Sequence, residues 1–197
     1  MENIISFFKS KYITMIGFVI PIIAYSMIFL AISQASWFTW QGNALSDLGA
    51  HPGTDIIFNT GLMISGILFV IFSIGLLCYF TDILERLGAL ILIFAGISLF
   101  NIGLFPETAG HIHWQVSVMF FVSLPFGVIF VSLANLKKDK SILITGAFVF
   151  IASLIIWTFP WHSVGVTNVA IPELLSSLCG VIWVELVAYK IFKTQNT

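Results

Sequence analysis

The side chains that could do chemistry in this chain are His51, His111, His113 and His162, together with the carboxylates Asp47, Asp55, Glu107 and Glu173. Histidine, aspartate and glutamate are the usual ligands of zinc, and an open coordination position on that metal activates water for hydrolysis. The same groups also bind small polar ligands directly, and they also cap helices and tie loops together. Spacing separates these readings only in part. His111 and His113 are two apart, so on an extended segment both point the same way, whereas on a helix they diverge. His51 and His162 must arrive from other parts of the chain, and the helical pairs His-x-x-x-His and His-Glu-x-x-His do not occur. The metal candidates are therefore His51, His111, His113 and His162, with zinc the metal that suits them. The candidates for a ligand site are Asn43, Ser46, Asp47, Glu107, His111, His162 and Glu173. No residue type here assigns a catalytic role.

Six long apolar runs must position these groups. A spanning helix needs about 20 apolar residues, and the runs that qualify are about 12–34, 55–80, 87–104, 114–135, 141–158 and 171–192. All 8 basic residues lie in alternate joints: Lys9 and Lys11, Arg86, then Lys137, Lys138 and Lys140, then Lys190 and Lys193. Lys and Arg beside a spanning helix resist translocation, so the joints that hold them are cytoplasmic. The 4 histidines occupy the complementary joints. The expected fold is all-α: a polytopic membrane protein of six transmembrane helices, arranged as three outward-opening hairpins with both termini cytoplasmic. Residues 1–197 read as one transmembrane domain in the cell membrane.

Composition agrees. The chain of 197 residues is 59% hydrophobic and 9% charged, where a soluble domain carries roughly a quarter charged residues. A net charge of -1, with the basic residues confined to helix ends, argues against nucleic acid as a partner. Cys78 and Cys179 sit inside apolar runs, in no metal or redox spacing. Lys9 and Lys11, an apolar stretch, then Ser33-Gln34-Ala35 look like a signal peptide ending near residue 35, but the stretch from Tyr12 exceeds the usual h-region. Cleavage there would leave the orientation of the other helices unchanged. Trp37, Trp40, Trp114, Trp157 and Trp161 lie at the outer boundary, as an interfacial aromatic belt does. The second and third outer joints share a Phe-Pro opening, Phe105-Pro106 and Phe159-Pro160, with a histidine following each.

The stretch Asn43-Ala44-Leu45-Ser46-Asp47-Leu48-Gly49, then Asn59-Thr60-Gly61, then Gly103-Leu104-Phe105-Pro106 and His111, resembles a six-helix prokaryotic membrane family. That family is domain of unknown function nine-nine-eight, common in archaea. The resemblance covers nearly the whole chain, and Leu-Ser-Asp-Leu-Gly is its most specific element. It implies a six-helix fold and no activity. Ser46, Asp47 and the histidines are also loosely similar in their ingredients to the seven-helix ceramidase and receptor-like hydrolases, although helix count and histidine spacing differ. Ingredients alone do not establish a function.

Three readings of the outer cluster follow. One is a site for a lipid headgroup or small polar ligand. No Lys or Arg is available on that face, so an anion would need backbone amides, helix N-termini or protonated histidine; a cationic or neutral group is equally open. A second is a metal-dependent membrane hydrolase acting on a lipid. The third is structural, with Ser46-Asp47 capping a short helix and Pro172-Glu173 opening the sixth helix, in a subunit of a homo-oligomer or larger membrane complex. Asp47 and His111 are expected to meet. Within the spans, Glu185 is a costly carboxylate that calls for a partner, and Asn59 and Asn101 extend the polar network inward.

Overall fold

A computed structural model describes residues 11–195. Lys9 lies outside the described residues. Six helices follow one another: α1 Lys11–Gln34, α2 Asp55–Tyr79, α3 Ile83–Leu104, α4 His111–Ala134, α5 Lys140–Thr158 and α6 Ala170–Gln195. Short 3₁₀ turns at Leu45–Gly49, Glu107–Ala109 and Trp161–Val164 fill the longer joints. Each helix has a mean hydropathy between 1.6 and 2.5 over its most apolar window. Inside lipid a backbone amide finds no water, and a helix satisfies its amides internally. The chain is a multi-pass membrane protein.

Successive helices pack on one another, and α1 also packs on α6, so the six close into a ring. Phe72, Leu92, Val128, Val131, Val149, Trp183 and Val187 are wholly enclosed at its centre. Large apolar side chains such as Ile22, Ile67, Phe94, Ile151 and Ile182 face outward instead, where lipid is their solvent. Gly66 lets α2 and α3 touch backbone to backbone: a Cβ there would lie 2.7 Å from the Cα of Phe100. α5 touches α4 closely at Gly146, where a Cβ would strike Ser132, but is otherwise the least buried of the six. Only 17% of its apolar window is buried, against 50% for α2 and α4.

Helix starts explain the differences from the expected spans. α3 begins at Ile83, four residues early, because the Asp82 carboxylate accepts the Leu84 N–H at 2.9 Å. That capping places Arg86 on the helix. α4 begins at His111 because Gly110, at φ 64, turns the chain sharply into it. The segment expected as a loop up to Trp114 is thus helical from His111 onward. α6 runs on to Gln195 and carries Lys190 and Lys193 within its last turns.

At the end of the bundle that holds the lysines, acids and bases are matched. Lys138 Nζ lies 3.3 Å from Asp82 and 3.2 Å from Glu85, and Lys190 Nζ lies 2.6 Å from Asp139. Asp139 also accepts the Ser141 and Ile142 N–H groups as the cap of α5. Burial pushes its carboxyl up, but Lys190, Ser141 and the backbone donors outweigh this and hold it at about 2. Glu85 accepts an additional bond from Asn135 Nδ2 at 3.0 Å.

Candidate functional site

At the opposite end the three longer joints are laced together. Asp47, third residue of the first 3₁₀ turn, reaches back to accept the Ala44 N–H at 3.0 Å and Asn43 Nδ2 at 2.7 Å. Asn43 in turn accepts the Thr39 N–H at 2.9 Å. The turn is pinned to α2 by Asn59 Nδ2, which donates to the Gly49 carbonyl at 2.9 Å. It is joined to α6 by the Leu45 N–H, which donates to Glu173 Oε2 at 2.7 Å. The joint before α6 ties to the first loop through Ala170 N–H to the Asn43 carbonyl at 3.0 Å. Asp47 and Glu173 therefore do hold local structure. The cap comes from inside the turn, at Asp47, since Ala44 occupies the position before it.

Glu107 brings the second joint into this group. Ser46 Oγ donates to its Oε2 at 3.5 Å, and its carboxyl lies within hydrogen-bond reach of Asp47. Glu107 is exposed as a residue, but the carboxyl end turns inward. Desolvation, then the facing Asp47 carboxylate, raises its pKa to about 7. Two carboxylates so close favour one shared proton.

The histidines scatter. His51 stacks on Trp37 with ring centroids 4.0 Å apart, and His111 stacks on Trp114 at 5.6 Å. Both are exposed, as is His162. His113 points the other way from His111, as helical geometry requires of residues two apart, and is buried. Its Nδ1 lies 2.7 Å from the Phe105 carbonyl, and its Nε2 lies 3.4 Å from Ser117 Oγ. Among the described residues, no three His, Cys, Asp or Glu side chains are grouped so that they could hold a metal. The expected meeting of Asp47 with His111 gives way to a meeting of Asp47 with Glu107. The reason is that His111 sits on the outward face of the first turn of α4.

A cleft of about 630 Å³ opens beside this cluster. Its long walls come from α4 (Trp114, Val118, Phe121, Val122, Pro125) and from α5 (Phe150, Leu154, Trp157). Its polar end holds Ser46, Glu107, His113, Ser117, Asn168 and Glu173. The loose seating of α5 leaves this space. A smaller cavity of about 110 Å³ lies behind it, and Ser46, Ser117, Phe121 and Glu173 line both. Of the residues singled out from the sequence, Ser46, Glu107, Glu173 and His113 line the cleft, while Asn43 and Asp47 position them. His51, His111 and His162 are not among its walls, and neither are Asn59, half-buried Asn101 or Glu185, which is exposed on the outside of α6. Ser117 and Trp157 were not anticipated. Ser117 lies one helical turn after His113, a polar spacing within an otherwise apolar run that would have pointed to it.

A family described as "Protein of unknown function (DUF998)" matches residues 18–190. The chain belongs to this family. No curated protein and no solved structure matches it. Within this DUF998 chain, the ion pairs formed by the described residues all lie at the lysine end. Asp47 and Glu107 face each other at the other end, with Glu173 near enough to feel both charges and no Lys or Arg beside them.

Proposed function

We propose that this DUF998 protein binds an amphipathic, lipid-class molecule drawn from the membrane. The tail lies between α4 and α5, and the head meets Ser46, Glu107, His113 and Glu173. The observation that carries this reading is the continuity of one cleft, apolar along its walls and polar at one end. Its volume falls in the roughly 300–1,000 Å³ range of ligand sites, which are lined mostly by apolar and aromatic groups with a few placed polar ones. Its rim residues Trp114, Val122 and Leu154 are themselves exposed on spanning helices, so a lipid enters sideways without crossing water. The confinement of Lys and Arg to the far end supports a cytoplasmic lysine end, with both termini on that side and the polar cluster at the outer leaflet.

Native mass spectrometry of protein released from micelles tests the reading. The wild type is expected to retain one amphiphile per chain. Val122→Trp combined with Leu154→Trp fills the cleft at two positions that are each 51% exposed, so the fold is preserved and retention is lost. Equal retention by both proteins would place the lipid elsewhere.

A further inference from the structure

Glu173 is buried, with 9% of its surface exposed. One of its oxygens, Oε2, accepts the Leu45 N–H. The other accepts no hydrogen bond from any described residue, although Glu173 lines both the cleft and the smaller cavity behind it. That oxygen keeps some accessible surface, so a donor in the cavity can reach it, and a carboxylate held in a buried residue favours one. Glu107 and Asp47 lie close enough to act on Glu173 electrostatically, and like charges add to the cost of burying it. The lysine end shows how this chain treats a partly buried carboxylate when its own residues complete the site: Glu85 has Lys138 and Asn135.

His113 adds a further acceptor at the cleft. The Phe105 carbonyl only accepts, so the neutral His113 ring keeps its hydrogen on Nδ1 and presents Nε2 as an acceptor. Ser117 Oγ lies 3.4 Å from that nitrogen and can donate to it or turn to a ligand. The head of the cleft thus sets the acceptors Glu107, Glu173 and His113 Nε2 beside the hydroxyls of Ser46 and Ser117 and the amide of Asn168, with no Lys or Arg among its lining. A phosphate head would meet the Glu107 and Glu173 carboxyls and no Lys or Arg. An alcohol supplies one donor. A primary ammonium supplies three donors and the missing charge.

We infer that the bound amphiphile carries a primary ammonium head, seated between Glu173, Glu107 and His113 Nε2. This rests on the amphiphile-binding reading above and narrows it to an amine-bearing lipid or long-chain amine.

The test compares probes that share one tail: hexadecylamine, hexadecyltrimethylammonium, hexadecanol and hexadecyl phosphate. Each is titrated into delipidated full-length protein in maltoside micelles at about pH 8, where a primary amine of ordinary pKa, about 10.4, remains charged. Binding is read from the emission of Trp114 and Trp157, which line the cleft. Hexadecylamine is expected to bind about tenfold more tightly than hexadecanol, the ratio of a charge-assisted bond to a neutral one. Glu173→Gln keeps an acceptor for the Leu45 N–H, so the fold holds while that preference falls away. Equal Kd values for the amine and the alcohol would overturn the ammonium head and leave the cleft standing. So would a preference that survives both Glu173→Gln and Glu107→Gln. Equal binding of the trimethylammonium probe would overturn the hydrogen-bonded primary amine, and preference for the phosphate would overturn its charge. Failure of every probe to bind would instead bring down the amphiphile reading beneath it.

Discussion

Asp47 and Glu107 face each other across the junction of two loops, and that pairing makes pH a variable of stability. The Glu107 carboxyl titrates at about 7 in the fold against an ordinary value of 4.5. The folded state therefore holds a proton that the unfolded chain has already released between those values. Stability contributed by this group is fully present below about 4.5 and is lost as pH rises through about 7. Asp47, Ser46, Glu173 and His113 are the polar groups around it, and none of them brings a Lys or Arg. The delipidated protein is expected to melt at progressively lower temperature as pH rises across this window. Glu107→Gln, which is always neutral, should lessen that slope. A wild-type melting curve that is level across the window would remove the shared proton. The types of these residues were legible in the sequence, because polar groups in an apolar chain stand out. Their pairing was not. Asp47 and Glu107 meet because the first 3₁₀ turn is bonded to α2 and α6, and the bond to α6 joins positions 128 apart in sequence.

Helices were legible almost to the residue wherever an apolar run met an unambiguous break. α1 and α5 match their expected spans to within one residue at each end. α4 began earlier than expected because its first turn is His-Ile-His, which carries no apolar signal, and the deciding feature is the backbone angle of Gly110. The same Phe-Pro opening introduces a 3₁₀ turn in both the second and third joints, and each turn ends on a glycine of positive φ, Gly110 at 64 and Gly165 at 80. The related joints diverge afterwards: His162 lies within its turn, whereas His111 follows its glycine and opens a helix. The cleft was not legible at this scale at all. It depends on how tightly α5 sits against α4, and that is set by packing across the ring. Elsewhere the packing is tight enough to test. A side chain at Gly66 would strike the backbone of Phe100, which cannot rotate away, so α2 and α3 would have to part. Gly66→Leu is expected to destabilise by about 1–3 kcal/mol, the usual cost of overpacking. Ile64→Ala, on the exposed side of the same helix, should have little effect. Similar melting temperatures for the two variants in detergent would show that α2 and α3 are free to separate.

For the whole molecule, the distribution of charge does two jobs with one pattern. Lys and Arg at one end favour keeping that end on the cytoplasmic side during insertion, the orientation proposed above, and Lys138 and Lys190 there pair with Asp82, Glu85 and Asp139. The end without them has no Lys or Arg beside Asp47, Glu107 and Glu173, which in the proposed orientation would suit a cationic ligand from the outer leaflet. Orientation and ligand charge are thus linked, so a reversed protein would present its acceptors to the opposite leaflet. Labelling of single cysteines on intact cells decides the orientation, after the native Cys78 and Cys179 are replaced by alanine. Thr108→Cys and Ser163→Cys sit on exposed joints at the polar end, and Thr81→Cys and Leu136→Cys sit on exposed joints at the lysine end. These positions avoid Gly110 and Gly165, whose positive φ a cysteine would strain. They also avoid Asp139, whose loss would uncap α5 and strand Lys190. An impermeant maleimide should label positions 108 and 163 in intact cells, and positions 81 and 136 only after the membrane is opened. Labelling of position 136 in intact cells would invert the molecule, and with it the leaflet from which the cleft draws its ligand.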